Sequence, residues 1–184
     1  SYGMRIINQD NFEALLGFII SARNNVPSIT KAMNLIAERY GKKVIFNNKT
    51  FHLFPTINEL KSLTKDDFKS CLVGFRDKYL CNIVKEVVNG NLNLDKIEKM
   101  DTKTAINYLM SFPGIGKKVS SCILFFAYSR FDAFPIDRWV ERVLKEEYNL
   151  NKIVNMEEFA NKKYGEYSAL ALQYMYNFRR NKNR

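Results

Sequence analysis

Histidine is nearly absent from this chain of 184 residues, with His52 alone between Phe51 and Leu53. A hydrolytic triad or a histidine-built metal site is therefore excluded in practice. Cysteine is also scarce. Cys71, Cys81 and Cys122 are widely spaced, make no metal pattern and no even disulfide set, and read as reduced thiols of an intracellular, cytoplasmic protein. No apolar run approaches the ~20 residues of a membrane helix, and Arg23 closely follows the early candidate Leu15–Ile20. The start carries no signal-peptide pattern. Repeats, low-complexity stretches and Gly/Ser linkers are missing as well. Acidic residues fall short of basic ones, 19 against 29, leaving a net charge of +10. That excess suits a polyanionic partner, although an ordinary basic protein would show it too.

What is present is helical periodicity. Hydrophobic residues make up 46%, enough for one packed domain or two small lobes sharing a core. Asp10 with Glu13 reads as a capping box before the face Phe12, Leu15, Leu16, Ile19 and Ile20. Pro27 opens a second helix that Gly41 stops. Val44 to Phe54, turning at Asn47-Asn48-Lys49, reads as a small hairpin. Helices are expected over 56–62, 64–72, 76–88, 102–111 and 117–128. A loop over 130–136 precedes another helix over 138–148. A last helix over 159–178 leads into a basic tail from Arg179 to Arg184. The class is all-α.

Chemistry concentrates between residues 112 and 137. Phe112-Pro113-Gly114-Ile115-Gly116 joins two helices, giving a helix-hairpin-helix over about 102–128. Its glycines permit positive φ and close approach, and the amides opening the next helix favour an anion such as a DNA phosphate. An ordinary turn between packed helices would also contain such glycines. Lys118 sits in that helix's first turn. A solvated lysine is protonated at neutral pH and a poor nucleophile. A helix N-terminus, the neighbouring cation of Lys117 and partial burial all favour the free amine, whereas Asp137 would favour the ammonium. Lys118 is then either a nucleophile or, like Lys117, a phosphate contact. Asp137 follows Pro135-Ile136 and suits both a helix cap and a fixed carboxylate beside developing positive charge.

The run Phe112–Val119 with Pro135-Ile136-Asp137 resembles the signature of the helix-hairpin-helix DNA glycosylase superfamily. The resemblance implies the two-lobed helical fold of that superfamily. It also implies a glycosylase/lyase in which the Lys118 amine attacks C1′, forms a Schiff base and breaks the strand by β-elimination, with help from Asp137. The phosphate contacts implied are Gly114, Gly116, Lys117 and Arg138.

The wider chain is similar to the 8-oxoguanine DNA glycosylase/lyases. Three stretches carry this: Arg5–Asp10 leading into Ser21-Ala22-Arg23-Asn24-Asn25, Gly74-Phe75-Arg76-Asp77-Lys78-Tyr79, and Cys122. The likeness assigns Phe75 as a wedge and Arg76 to the orphaned base or a phosphate. Arg23, Asn24, Asn25 and Ser28 fall around the opposite base. Cys122, Tyr176 and Gln173 fall around the flipped base. Arg23 stands where the family has asparagine, and Ser28 where it has arginine, so a relaxed opposite-base preference is expected. The base-edge glutamine aligns with Leu172, with Gln173 one step along.

An N-terminal β domain of the family has no counterpart here, which reads as a fragment or a compact relative. The expected partner is double-stranded DNA with a damaged base or an abasic site, bound by a monomer away from membranes. No cofactor is expected, beyond a monovalent cation that the resemblance implies at the hairpin. An endonuclease III-like enzyme for oxidised pyrimidines is the rival within the superfamily, but the four cysteines of its iron–sulfur cluster are not available. A DNA-binding module without catalysis is the rival outside it.

Overall fold

A computed structural model describes residues 3–150 and 153–182. Asp10 caps α1 (Asn11–Ser21), its Oδ1 accepting from Phe12 and Glu13 amides at 2.9 Å. Asn25 caps α2 (Val26–Tyr40) by accepting from the Ser28 amide. The chain then forms a short antiparallel hairpin, β1 (Lys43–Phe46) with β2 (Lys49–His52). Asn47 and Asn48 turn it at φ 48° and 58°, the left-handed pair that a two-residue hairpin of this twist needs. Two short helices follow, α3 (Ile57–Leu60) and α4 (Lys65–Ser70), each opened by a threonine capping box.

A tight turn at Gly74–Arg76 leads into α5 (Asp77–Val88). Next come α6 (Leu94–Glu98) and α7 (Thr102–Met110), then α8 (Lys117–Tyr128). Helix α8 is central: Val119, Ile123, Leu124 and Phe125 are all buried, and it packs on α1 and α7. Asp137 caps α9 (Arg138–Tyr148), and α10 (Ile153–Tyr164) and α11 (Ser168–Lys182) finish the chain.

The apolar faces gather into two cores. The larger takes Leu15, Ile36, Phe68, Leu80, Leu109 and Ile123 from α1, α2, α4, α5, α7 and α8. The smaller takes Val140, Leu144, Met156, Ala160 and Leu172 from α9, α10 and α11, with Phe134 from the loop before them. This is a two-lobed helical fold, each lobe built around its own core.

Three readings of the sequence change. The last helix is broken at Gly165, where φ is +56°. Helix α6 had no expected counterpart, being a single turn or so set by the Asn93 cap. The expected basic tail is helical as far as Lys182, and residues 183–184 lie outside the described residues.

Candidate active site between the two lobes

The turn at 112–116 is built around one forced glycine. Gly114 has φ +96°, and a Cβ there would stand 2.7 Å from Tyr79 Cγ. Gly116 differs: its φ is −97°, and a Cβ would meet nothing within 4 Å. Its bareness opens the exposed face of the turn. Gly116 is also the N-cap of α8, and it offers no side-chain acceptor to the first amides of the helix. Those donors point outward with the positive end of a three-turn helix, which is an anion site.

Lys118 rises from this first turn and is half-buried. Its Nζ lies 6.0 Å from the centre of the Phe18 ring. One turn further along stands Cys122, 5% exposed. Burial pushes the Cys122 thiol up, Lys118 opposes this by its charge and a hydrogen bond, and Asp137 adds to the rise. The Lys118 amine, the Cys122 sulfur and the Asp137 carboxylate are therefore electrostatic neighbours.

Asp137 is exposed, and its Oδ1 accepts from the Trp139 and Val140 amides at 3.0 and 2.9 Å. Capping holds the carboxylate at the mouth of a cleft of about 850 Å³. Lys118, Asp137, Arg138, Trp139, Arg23 and Asn24 line it. No carboxylate closes on Lys118 within ion-pair distance among the described residues. The amine and the carboxylate thus face one space without neutralising each other.

Lys117 points elsewhere. Its Nζ pairs with Glu157 at 2.5 Å and borders a second cleft, lined also by Lys103, Asn107 and Asp132. Consecutive helical residues diverge by about 100°, so one lysine enters each cleft.

The expected DNA-facing residues divide. Phe75 is 55% exposed at its turn, as a wedge requires, and the Arg76 guanidinium lies 4.4 Å over its ring. Arg76 itself is only 6% exposed and donates to the carbonyls of Ala22, Arg23 and Val73. Its donors face these carbonyls rather than solvent. Asn24 Nδ2 donates to the Ile20 carbonyl at 3.1 Å, so its amide closes the end of α1, and Asn25 caps α2. Local backbone donors and acceptors thus bond two of the four side chains expected around the opposite base. Arg23 and Ser28 remain exposed, Arg23 in the left-handed region at φ +52°.

On α11, Leu172 is buried in the smaller core, and Gln173 beside it is half-buried. Tyr176 packs edge-on against Trp139 with ring centres 4.8 Å apart. Trp139 is a site residue that the sequence reading missed. Its signal was available: the sole tryptophan, two residues after Asp137. A group of histidine, cysteine or acidic residues suited to a metal ion is not found among the described residues.

Comparison with known proteins places this geometry. No family model matches the chain. A probable N-glycosylase/DNA lyase of Methanothermobacter thermautotrophicus is 29% identical over 98% of the chain and 64% of its own length. The 8-oxoguanine glycosylase/lyase of Clostridium acetobutylicum, solved with double-stranded DNA containing cytosine opposite 8-oxoguanine, superposes with a TM-score of 0.93. It is 38% identical, with 99% of this chain and 63% of that one covered. The 3-methyladenine DNA glycosylase of Archaeoglobus fulgidus shares the fold, with a TM-score of 0.82 at 24% identity over 97% of this chain and 62% of that one. The chain thus spans under two thirds of the length of these relatives.

Proposed function

We propose that this chain, which belongs to the helix-hairpin-helix DNA glycosylase superfamily, acts as a bifunctional glycosylase/lyase on 8-oxoguanine in duplex DNA. The observation that carries the reading is the Lys118 amine. It opens into one cleft with the capping carboxylate of Asp137, and no carboxylate among the described residues forms an ion pair with it.

The sequence of events follows from those groups. The exposed face at Gly114–Gly116 and the first amides of α8 take a backbone phosphate, while Arg138 and Arg23 add positive charge along the cleft. Phe75 enters the stack as the damaged nucleotide swings out, which costs a few kcal/mol of unstacking. Asp137, in its fixed position, faces the sugar as positive charge develops there and accepts the proton that Lys118 loses. The Nζ–C1′ bond forms as the C1′–N9 bond breaks, and the purine leaves with the bonding pair and takes up a proton. Ring opening at O4′ gives the Schiff base. Loss of a C2′ proton then expels the 3′ phosphate.

Cys122 and Tyr176 fit the flipped base, Cys122 beside the lysine and Tyr176 by way of Trp139. The monovalent cation implied at the hairpin would bind main-chain carbonyl oxygens of that turn, and no step passes through it. Damaged double-stranded DNA is the partner, bound by a monomer inside the cell.

Borohydride reduction tests the reading. The protein should be captured covalently on duplexes carrying 8-oxoguanine or an abasic site, and Lys118→Gln should bind without being captured. Capture by Lys118→Gln would move the nucleophile to another amine. Binding without capture by the native protein would leave a DNA-binding module.

A further inference from the structure

The β1–β2 hairpin carries apolar side chains that the proposed chemistry leaves unused. Ile45, Phe46, Phe51 and Leu53 are 74%, 66%, 48% and 51% exposed. Strand alternation sets Val44, Phe46, Phe51 and Leu53 on one face, with Lys42 and Lys49 at its two ends. The register points the backbone N–H and C=O groups of Lys43, Ile45, Thr50 and His52 outward, and they have no backbone partner among the described residues. Single exposed apolar residues are ordinary, but a row of them beside an open strand edge is a template for another strand. The hairpin is also firmly seated. A Cβ on Gly41 would overlap the Leu53 carbonyl oxygen, so the end of α2 and the end of β2 meet backbone to backbone.

Position separates this surface from the Lys118 cleft. Helix α1 starts beside Leu53 and Phe54, and its other end lines the cleft at Ser21. Helix α2 follows the Ala22–Asn24 link at the cleft and runs back to the hairpin. The two helices, 11 and 15 residues long, span about 16 and 22 Å between the two places. The hairpin therefore lies away from the groups proposed to hold DNA. Charge then narrows the partner. From Gly41 to Asn58 there are three lysines and no acidic residue. Glu59 lies close to Lys42, but no carboxylate among the described residues pairs with Lys43 or Lys49. A second copy of this chain would bring the same lysines and a net charge of +10, so it is repelled.

We propose that the β1–β2 hairpin is a docking edge for another protein, which adds an extended acidic segment as a third strand. The main chain of that segment pairs with the open edge. Its apolar side chains, at every second position, lie beside Phe46, Phe51 and Leu53, and its carboxylates meet Lys43 and Lys49. The docking edge stands whether or not the chain is a glycosylase.

The probe is a fluorescein-labelled synthetic peptide, Glu-Val-Glu-Val-Glu-Val-Glu. One control replaces each glutamate by lysine, and another has the same composition with its valines contiguous. The probe should bind at least about tenfold more tightly than either control. Amide hydrogen exchange in the native chain should slow over residues 43–52 when the probe is bound. Phe46→Thr with Phe51→Thr should weaken binding about tenfold or more at an unchanged thermal melt, since both side chains are exposed and threonine suits strands. Should that variant melt early, the exchange map of the native chain decides alone. Lys43→Glu with Lys49→Glu should turn the preference toward the lysine peptide. Protection that appears at Gly114–Gly116 or around Lys118 instead, or a probe that duplex DNA displaces, would make the peptide a polyanion mimic at the DNA site and overturn the proposal. Equal affinity for the lysine peptide overturns the acidic partner. Self-association of the native chain in sedimentation, lost in the phenylalanine variant, would make a second copy the occupant and overturn it as well. So would the failure of the probe to bind at millimolar concentration.

Discussion

Gly114 and Tyr79 are in contact closely enough that one cannot grow without displacing the other. A Cβ on Gly114 would stand 2.7 and 2.8 Å from Tyr79 Cγ and Cβ, and φ there is +96°. Tyr79 belongs to the helix behind the Phe75 turn, so this contact joins the hairpin to the proposed wedge.

Gly114→Ala should therefore destabilise the fold by about 1–3 kcal/mol through overpacking and strain. Gly116→Ala should cost under ~1 kcal/mol, since its φ is ordinary and its surroundings are open. Its methyl would nonetheless stand over the α8 amides and weaken binding to duplex DNA. Thermal melts beside a binding titration separate the two. Equal melts for both variants would contradict the Tyr79 contact.

Asp137 has two roles that different substitutions can divide. Asparagine caps a helix about as well as aspartate, so Asp137→Asn should melt within ~0.5 kcal/mol of the native protein. Alanine should cost ~1 kcal/mol. Single-turnover excision should fall about 10²-fold or more in both, because each lacks the carboxylate. Activity retained in Asp137→Asn would reduce the residue to a cap.

The single tryptophan lines the cleft and packs on Tyr176, so its emission reports the site without a label. Binding of an abasic duplex should change Trp139 fluorescence. Trp139→Ala should impair excision of 8-oxoguanine more than cleavage at a preformed abasic site, since only the former needs Tyr176 against a base. Equal losses in the two assays would count against that role.

Acid should unfold the chain partly through three capping carboxylates. Glu59, Asp67 and Asp101 each accept hydrogen bonds from the threonine or amide they cap, which lowers their pKa below the ordinary carboxylate value. The native state thus binds these protons more weakly than the unfolded chain. The stabilisation is full above pH ~5, where these groups are ionised even in the unfolded chain, and is lost as pH falls through the lowered values. Glu13 works in the opposite sense, raised by burial and by Asp10. Asp67→Asn should make the acid limb of a circular-dichroism titration less steep, and an unchanged limb would dismiss the cap.

Binding should fall steeply with salt, in proportion to the phosphates neutralised, about 0.9 in log–log slope for each. Arg138→Ala should lower the slope by about one unit. Lys117→Ala should change it less, because that lysine pairs with Glu157 and borders the second cleft.

Local signals in the chain were legible because their physics is local. Asp10 caps a helix whose amides lie within three residues, and Asn47-Asn48 turns a hairpin by its own backbone preference. The bounds of α8 and α9 were both readable, one from the glycine hairpin and the other from Asp137. Lys118 and Asp137 were recognisable for the same reason, as each sits at a helix start marked in the sequence. Long-range partners were not legible. That Arg76 turns inward to Ala22, that Lys117 finds Glu157 and that Trp139 meets Tyr176 depend on helices brought together by two separate cores. A side chain's type sets which bonds it can make. Only packing decides which carbonyl, carboxylate or ring is there to receive it, because those partners are delivered by burial of apolar faces far away along the chain.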